Sequence, residues 1–213
     1  MPPKIGIFYA TREGQTRRIA ERIAADLRER DFGVELHNVV DCPVGMDLRR
    51  FAGLILAAST HVGEHEAEMV TFVKHHLSQL ETIPAAFLSV SLTAAGAERS
   101  DATPEERIRF SADLQKILDR FSEETGWLPQ YVRPVAGALM YSKYNFLVKL
   151  VLRRIAKKAH AGTDTSRDYE YTDWEGLDHF ATEFAEQLRL RERRIVPLPV
   201  ALGDSNGVSL SKC

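Results

Sequence analysis

Along the chain, short and dense apolar runs alternate with longer stretches in which apolar residues return every three or four positions. The short runs are Ile5 to Ala10, Val34 to Val40, Gly53 to Ala58, Ala85 to Val90 and Val132 to Leu139. They have strand length and little polar alternation, as in strands covered on both faces. The first long stretch, about Thr16 to Arg30, sets Ile19, Ala20, Ile23, Ala24 and Leu27 on one stripe, with Arg17, Arg18, Glu21, Arg22 and Glu29 facing outward. That spacing predicts an amphipathic helix ending near Gly33. A second helix is predicted over Glu66 to Leu80, with Pro84 ahead of the next strand. Strand and helix in alternation predict an α/β fold: a five-stranded parallel sheet, doubly wound, with helices on both faces.

Between the fourth and fifth strands lie about forty residues, too many for an ordinary connection. Thr103, Pro104 and Glu106 supply an N-cap, a first-turn proline and a capping-box acid, and Ile108, Phe110, Leu114, Ile117, Leu118 and Phe121 follow at helical spacing. The preceding "TAAGAERSDA" is small and polar and reads as a mobile loop. A further insertion follows the fifth strand. The last helix is expected to open on a capping box from Thr172 to Glu175 and to bury Trp174, Leu177, Phe180, Ala181, Phe184 and Leu188. One domain over 1–190 is therefore expected, followed by an arm or disordered tail over 191–213, where prolines, glycine and serine accumulate.

Charge narrows the partners. Lys and Arg total 28 against 30 Asp and Glu, so there is no global pull toward a polyanion, and nucleic acid is not expected. Cys42 and Cys213 lie too far apart to suggest a disulfide framework or a metal set, and a reducing cytoplasm is the expected setting. The N-terminal apolar stretch is too short for a secretory signal.

The candidate chemistry gathers behind the strands. "TREGQT" joins the first strand to the first helix. Gly14 allows close backbone approach, the hydroxyls of Thr11 and Thr16 can donate, and the amides from Arg12 to Thr16, with Glu13 and Gln15 between, can form a nest at the positive end of the helix. With no G-x-G-x-x-G and no Gly-Lys-Ser/Thr, the guest that fits is a monophosphate; the alternative is that a threonine merely caps the helix. The third strand ends in Ser59, Thr60, His61, Val62 and Gly63, and the fourth in Ser89, Val90, Ser91, Leu92 and Thr93. Both loops could edge a flat heteroaromatic ring.

Thr11, Gly14 and Thr16 behind a strand resemble the phosphate loop of flavodoxins, which implies FMN as cofactor. More specifically, "FYATREGQTRRIA", "AASTHVGEHEAEMVTFVKHH", "PAAFLSVSL", "VAGALMYSKYNFLVKLVLRRIAKKA" and "TDTSRDYEYTDWEGLDHFA" resemble the flavodoxin-like, quinone-dependent protoporphyrinogen dehydrogenases of bacterial haem synthesis. The likeness spans about residues 4 to 190, and ordinary flavodoxins lack the last two pieces. It implies an enzyme that oxidises protoporphyrinogen IX to protoporphyrin IX with a quinone as acceptor. It also implies that Thr11 to Thr16 hold the phosphate while Ser59 to Gly63 and Ser89 to Thr93 flank the ring. No general acid or base stands out. Arg99 and Arg107 could meet the substrate propionates. Rival readings are a flavodoxin-type electron carrier and a cofactor-free binding module on the same fold.

Two other patterns need weighing. His61 to His65 spell H-x-x-E-H, a zinc-protease pattern that requires a continuous helix; Gly63 and the preceding strand argue against a metal. His61 and His65 then read as surface hydrogen bonders or cofactor contacts, and His75 and His76 as solvated. From Lys143 to Lys158 the chain carries Lys143, Lys149, Arg153, Arg154, Lys157 and Lys158, interleaved with apolar residues and without an acid. Such a stretch suits peripheral contact with an anionic membrane surface; the alternatives are a helix packed on the body or a homo-oligomer contact.

Overall fold

The computed structural model describes residues 2–43, 45–99, 101–143 and 162–195. The elements in chain order are β1 (Lys4–Ala10), α1 (Gln15–Glu29), β2 (Gly33–Asn38), β3 (Gly53–His61), β4 (Glu64–His65), α2 (Ala67–Leu80), β5 (Ala85–Ser91), α3 (Leu92–Glu98), α4 (Pro104–Thr125), β6 (Tyr131–Ala136), β7 (Ala138–Leu139), β8 (Tyr169–Glu170) and α5 (Trp174–Ile195). The central sheet has the order β2-β1-β3-β5-β6, with every neighbouring pair on that path parallel. Chain direction across the sheet therefore reverses between β1 and β3, and ligands of open α/β sheets bind at such a point, beyond the strand carboxyl ends.

The two-sided burial hides a period of two. Ile5, Ile7 and Tyr9 of β1, with Ile55 and Ala57 of β3 and Leu88 of β5, face α1 and α5, where Ile19, Ile23, Leu27, Phe180, Phe184 and Leu188 complete one core. Phe8, Leu54, Leu56 and Phe87 face the other way, against Met69, Phe72 and Val73 of α2 and Phe121 of α4. Gly53 has a packing reason: a Cβ there would stand 2.8 Å from Leu188 of α5.

Several expectations change at the element ends. The first part of "TAAGAERSDA", through Glu98, is helix rather than loop: Ser91 accepts a hydrogen bond from the Ala94 amide at 3.0 Å and starts α3. Gly96 then lets Phe110 of α4 close on it, since a Cβ would lie 2.7 Å from that ring. Arg99 and Arg107 both make contacts within the α3–α4 turn. The Arg99 guanidinium grips Asp101 at 2.9 and 3.0 Å, and Arg107 donates to the Ala102 carbonyl at 3.2 Å.

The fifth strand stops at Ala136. Gly137 donates to the Ser91 carbonyl at 3.1 Å and accepts from the Tyr171 amide at 3.1 Å, and the chain turns there into β7, which pairs antiparallel with β8. α5 is capped by Asp173, whose carboxylate accepts from the Gly176 amide at 2.9 Å; Thr172 is drawn elsewhere, donating to the Ala136 carbonyl at 2.8 Å. The helix also runs past Arg191 to Ile195. The rest of the tail, Cys213 and the basic stretch after Lys143 lie outside the described residues. No helix among the described residues is long and apolar enough to cross a membrane.

Candidate active site

Three strand ends and the β6–β7 joint enclose a cavity of about 260 Å3 at the switch point. Its floor is the β1–α1 loop. Gly14 sits at φ 97°, in the left-handed region, as the N-cap residue of α1, and no side chain caps the helix. Thr11 Oγ1 accepts from the Gly14 amide at 3.0 Å, so it shapes the loop instead. Thr16 is fully buried, and its Oγ1 has no hydrogen-bond partner among the described residues. An uncapped helix start leaves first-turn amides unsatisfied. A partial positive charge, free amides and a buried hydroxyl needing a partner together form a site for an anion. The capping alternative for the threonines is thereby removed.

The structure sorts the remaining residues into lining and support. Thr11, Glu13, Gln15, Thr16, Ser59, Thr60, His61, Val62, Gly63, Val90, Ser91, Leu92 and Thr93 line the cavity. Arg12 turns away, its Nε 3.0 Å from the Glu66 carboxylate. Ser89 is buried behind the wall, its Oγ 2.9 Å from His65 Nε2. Gly14 acts through its backbone. Gln15, though lining the cavity, is also a strut: its Nε2 donates to Thr172 at 2.8 Å and to Glu170 at 3.1 Å, tying α1 to the β7–β8 wall.

The H-x-x-E-H segment is a hairpin. β3 and β4 pair antiparallel, with Thr60 opposite His65 and His61 opposite Glu64. Val62 at φ 53° and Gly63 at φ 80° form the tight turn, with Val62 90% exposed at the lip of the cavity. Without a helix the two histidines cannot share a metal as that pattern requires. They have opposite fates. His65 packs into the core against Phe87 and Phe121, and burial pushes its imidazole down to about 4. His61 faces two carboxylates: Nε2 lies 3.4 Å from Glu13 Oε2 and 3.0 Å from Glu66 Oε1. Both contacts are ion pairs, and Nε2 forms no hydrogen bond to any described residue. Glu13 and Glu66 raise the imidazole to about 9, against the opposing effect of burial. Burial pushes the Glu66 carboxyl up, but His61 and the Ser59 hydroxyl, which donates at 2.9 Å, outweigh it and hold the group below its ordinary range. His76 is likewise buried, its Nδ1 2.9 Å from the Phe72 carbonyl, and is not a solvated residue.

Against known proteins, residues 6–166 match the family described as a flavodoxin domain. A Leishmania major protein named protoporphyrinogen IX dehydrogenase (quinone) is 34% identical over 185 residues, spanning 86% of this chain and 75% of its own. The Escherichia coli K12 protein of the same name is 32% identical over 181 residues, spanning 84% of this chain and 93% of its own. The chain belongs to the flavodoxin-domain protoporphyrinogen IX dehydrogenase family. Rubredoxin oxygen:oxidoreductase of Desulfovibrio gigas superposes with a TM-score of 0.52 at 14% identity, over 90% of this chain and 38% of that one, which is a likeness of fold alone.

In this family member, sequence reading missed one wall of the cavity, Gly137 to Met140, together with Ile117 of α4. Gly137 was the available signal, a glycine interrupting an apolar run. The two pieces that ordinary flavodoxins lack, "AGALMYSKY" and "GTDTSRDYEYTDW", meet as β7 and β8. Leu139 and Tyr141 are buried there beside Tyr169 and Tyr171. Nothing in local sequence links segments thirty residues apart.

Proposed function

We propose that this chain is an FMN-dependent enzyme that oxidises protoporphyrinogen IX to protoporphyrin IX and delivers the electrons to a quinone. One observation carries the cofactor assignment: the uncapped start of α1, with left-handed Gly14 and the buried, partnerless Thr16 hydroxyl, opens into the cleft at the switch point of a flavodoxin-family sheet. The names of the relatives support the substrate and the acceptor.

FMN, when bound, supplies the two-electron chemistry, and the protein supplies placement and surroundings. Thr11, Gly14 and Thr16 hold the phosphate with the amides of the loop. Ser59 to Gly63, Val90 to Thr93 and Gly137 to Met140 form the walls around the ring, and Val62, Leu139 and Ile117 exclude water from it. Arg12 and Ser89 act from behind these walls, bracing Glu66 and His65.

The basic stretch over 143–158 belongs to the same reading. The chain leaves the described residues just after the cleft wall and returns beside it, with Tyr141 Oη donating to the Gly162 carbonyl at 2.9 Å. We place this stretch on an anionic cytoplasmic membrane surface, where a lipid-soluble quinone reaches the cleft. Flotation with vesicles containing anionic lipid tests it: binding lost in neutral vesicles supports the placement, and no binding to either refutes it.

The decisive experiment for the activity is anaerobic mixing of FMN-loaded protein with protoporphyrinogen IX. Flavin absorbance is expected to bleach as porphyrin fluorescence rises, and a quinone analogue is expected to restore the absorbance. Bound FMN that never bleaches would identify an electron carrier instead.

A further inference from the structure

Arg12, Glu66, His61 and Glu13 form a chain of alternating charge that joins the phosphate loop to the end of β3. His61 lines the cleft with 25% of its side chain exposed. Its Nε2 has no accessible surface and faces the two carboxylates, so the exposure belongs to the rest of the ring. Nδ1 makes no hydrogen bond to any described residue. An imidazole backed on one nitrogen by carboxylate, with its other edge toward a ligand cleft, has the arrangement of a general acid–base. Because both carboxylates favour the charged form, His61 carries its proton at neutral pH.

The reaction needs such a group. Each two-electron step removes a hydride from a bridging C–H of the porphyrinogen together with a proton; over the three steps to the porphyrin, two of those protons leave pyrrole N–H groups and one leaves a further bridging C–H. The quinone takes up two electrons and two protons, one of them arriving with the hydride. The other is left by the substrate in one half-reaction and consumed in the next. Resting on the function proposed above, we propose that His61 is the catalytic proton carrier of the cleft. Its Nδ1–H gives a proton to a quinone oxygen as that O–H bond forms, and the neutral imidazole takes a proton back as the substrate's N–H bond, or in one of the three steps its bridging C–H bond, breaks. Glu13 and Glu66 are positioning residues that aim the ring and favour its recharging.

The test uses the FMN-loaded full chain, reduced with dithionite and mixed with a soluble quinone analogue across neutral and alkaline pH. The wild-type rate is expected to fall as pH rises through about 9. His61→Gln is expected to be about 100-fold slower, flat with pH and partly rescued by added imidazole. Glu13→Gln, which keeps the imidazole, should move the break in the profile to lower pH. An NMR titration of the imidazole resonances supplies a readout independent of turnover, with one histidine titrating near 9 and missing from His61→Gln. The proposal is overturned if His61→Gln keeps FMN and reoxidises like wild type, if Glu13→Gln leaves the break unmoved, or if no histidine titrates high. A wild-type protein that holds FMN and shows the raised imidazole, yet leaves the porphyrinogen unoxidised, would instead overturn the functional reading.

Discussion

Acidification between pH 6.5 and about 5 should destabilise this protein chiefly through one histidine. His65 is 8% exposed, with its Nε2 2.9 Å from Ser89 Oγ and its ring centroid 5.1 Å from that of Phe87 and 4.7 Å from that of Phe121. Loss of hydration lowers its pKa from 6.5 to about 4, and the nearby Glu66 charge only partly offsets this. The folded chain therefore keeps the ring neutral where the unfolded chain has already bound a proton. The stability linked to His65 is complete above 6.5 and is lost as pH falls toward about 4. Each pH unit inside that window costs about 1.4 kcal/mol, so the fall from 6.5 to about 5 costs about 2 kcal/mol. His61 does not confuse the measurement. Its raised pKa gives a contribution fully present below 6.5 and lost as pH rises through about 9. The carboxylates held below their ordinary range, among them Glu35 and Glu66, act at still lower pH. Urea unfolding followed by circular dichroism, at fixed ionic strength and constant excess FMN, should show the loss in wild type. His65→Gln keeps a hydrogen-bonding group for Ser89 but does not titrate, so it should start less stable and lack the acid loss seen in wild type, while the Glu98 and Asp26 carboxyls, raised by burial, act in the opposite direction in both proteins. Equal slopes for the two proteins would refute the assignment.

Other outcomes follow from the same geometry. Thr16→Val removes a buried hydroxyl without changing its volume and should weaken FMN binding by about fivefold to tenfold in calorimetry, with the melting temperature of the FMN-free chain unchanged. Gly96→Ala puts a methyl 2.7 Å from Phe110 and should cost about 1–3 kcal/mol in urea unfolding. Val62→Asn relieves a β-branched residue at φ 53° that is 90% exposed, and should stabilise the fold by about 1 kcal/mol. The same change strips an apolar lip from the cleft, so a higher KM for the quinone analogue is expected alongside the gain in stability.

The strands and long helices were legible because each is a local pattern. A run buried on both faces must be apolar throughout, and a helix on one face must repeat near every 3.6 residues. The glycine turn into α1 was legible for the same reason, since Thr11, Gly14 and Thr16 lie within six consecutive positions of one segment. The readings that changed depended on neighbours distant in sequence. α3 exists because Ser91 caps it and Gly96 admits Phe110. Thr172 leaves its expected capping role because Ala136 and Gln15 claim its hydroxyl.

His61 and His65 show the division most clearly. Four positions apart on a two-stranded turn, they carry the same side chain and offered the same sequence signal. Only the folded chain sets one between Glu13 and Glu66 and the other between Phe87 and Phe121, shifting their proton affinities in opposite directions. Sequence by itself determined the alternating sheet and helices and the family likeness, because short-range periodicity and local motifs encode them. Tertiary structure alone decided which side chains face the cleft, which brace it from behind and what charge each carries, because hydration and partner charge at a site come from segments far apart along the chain.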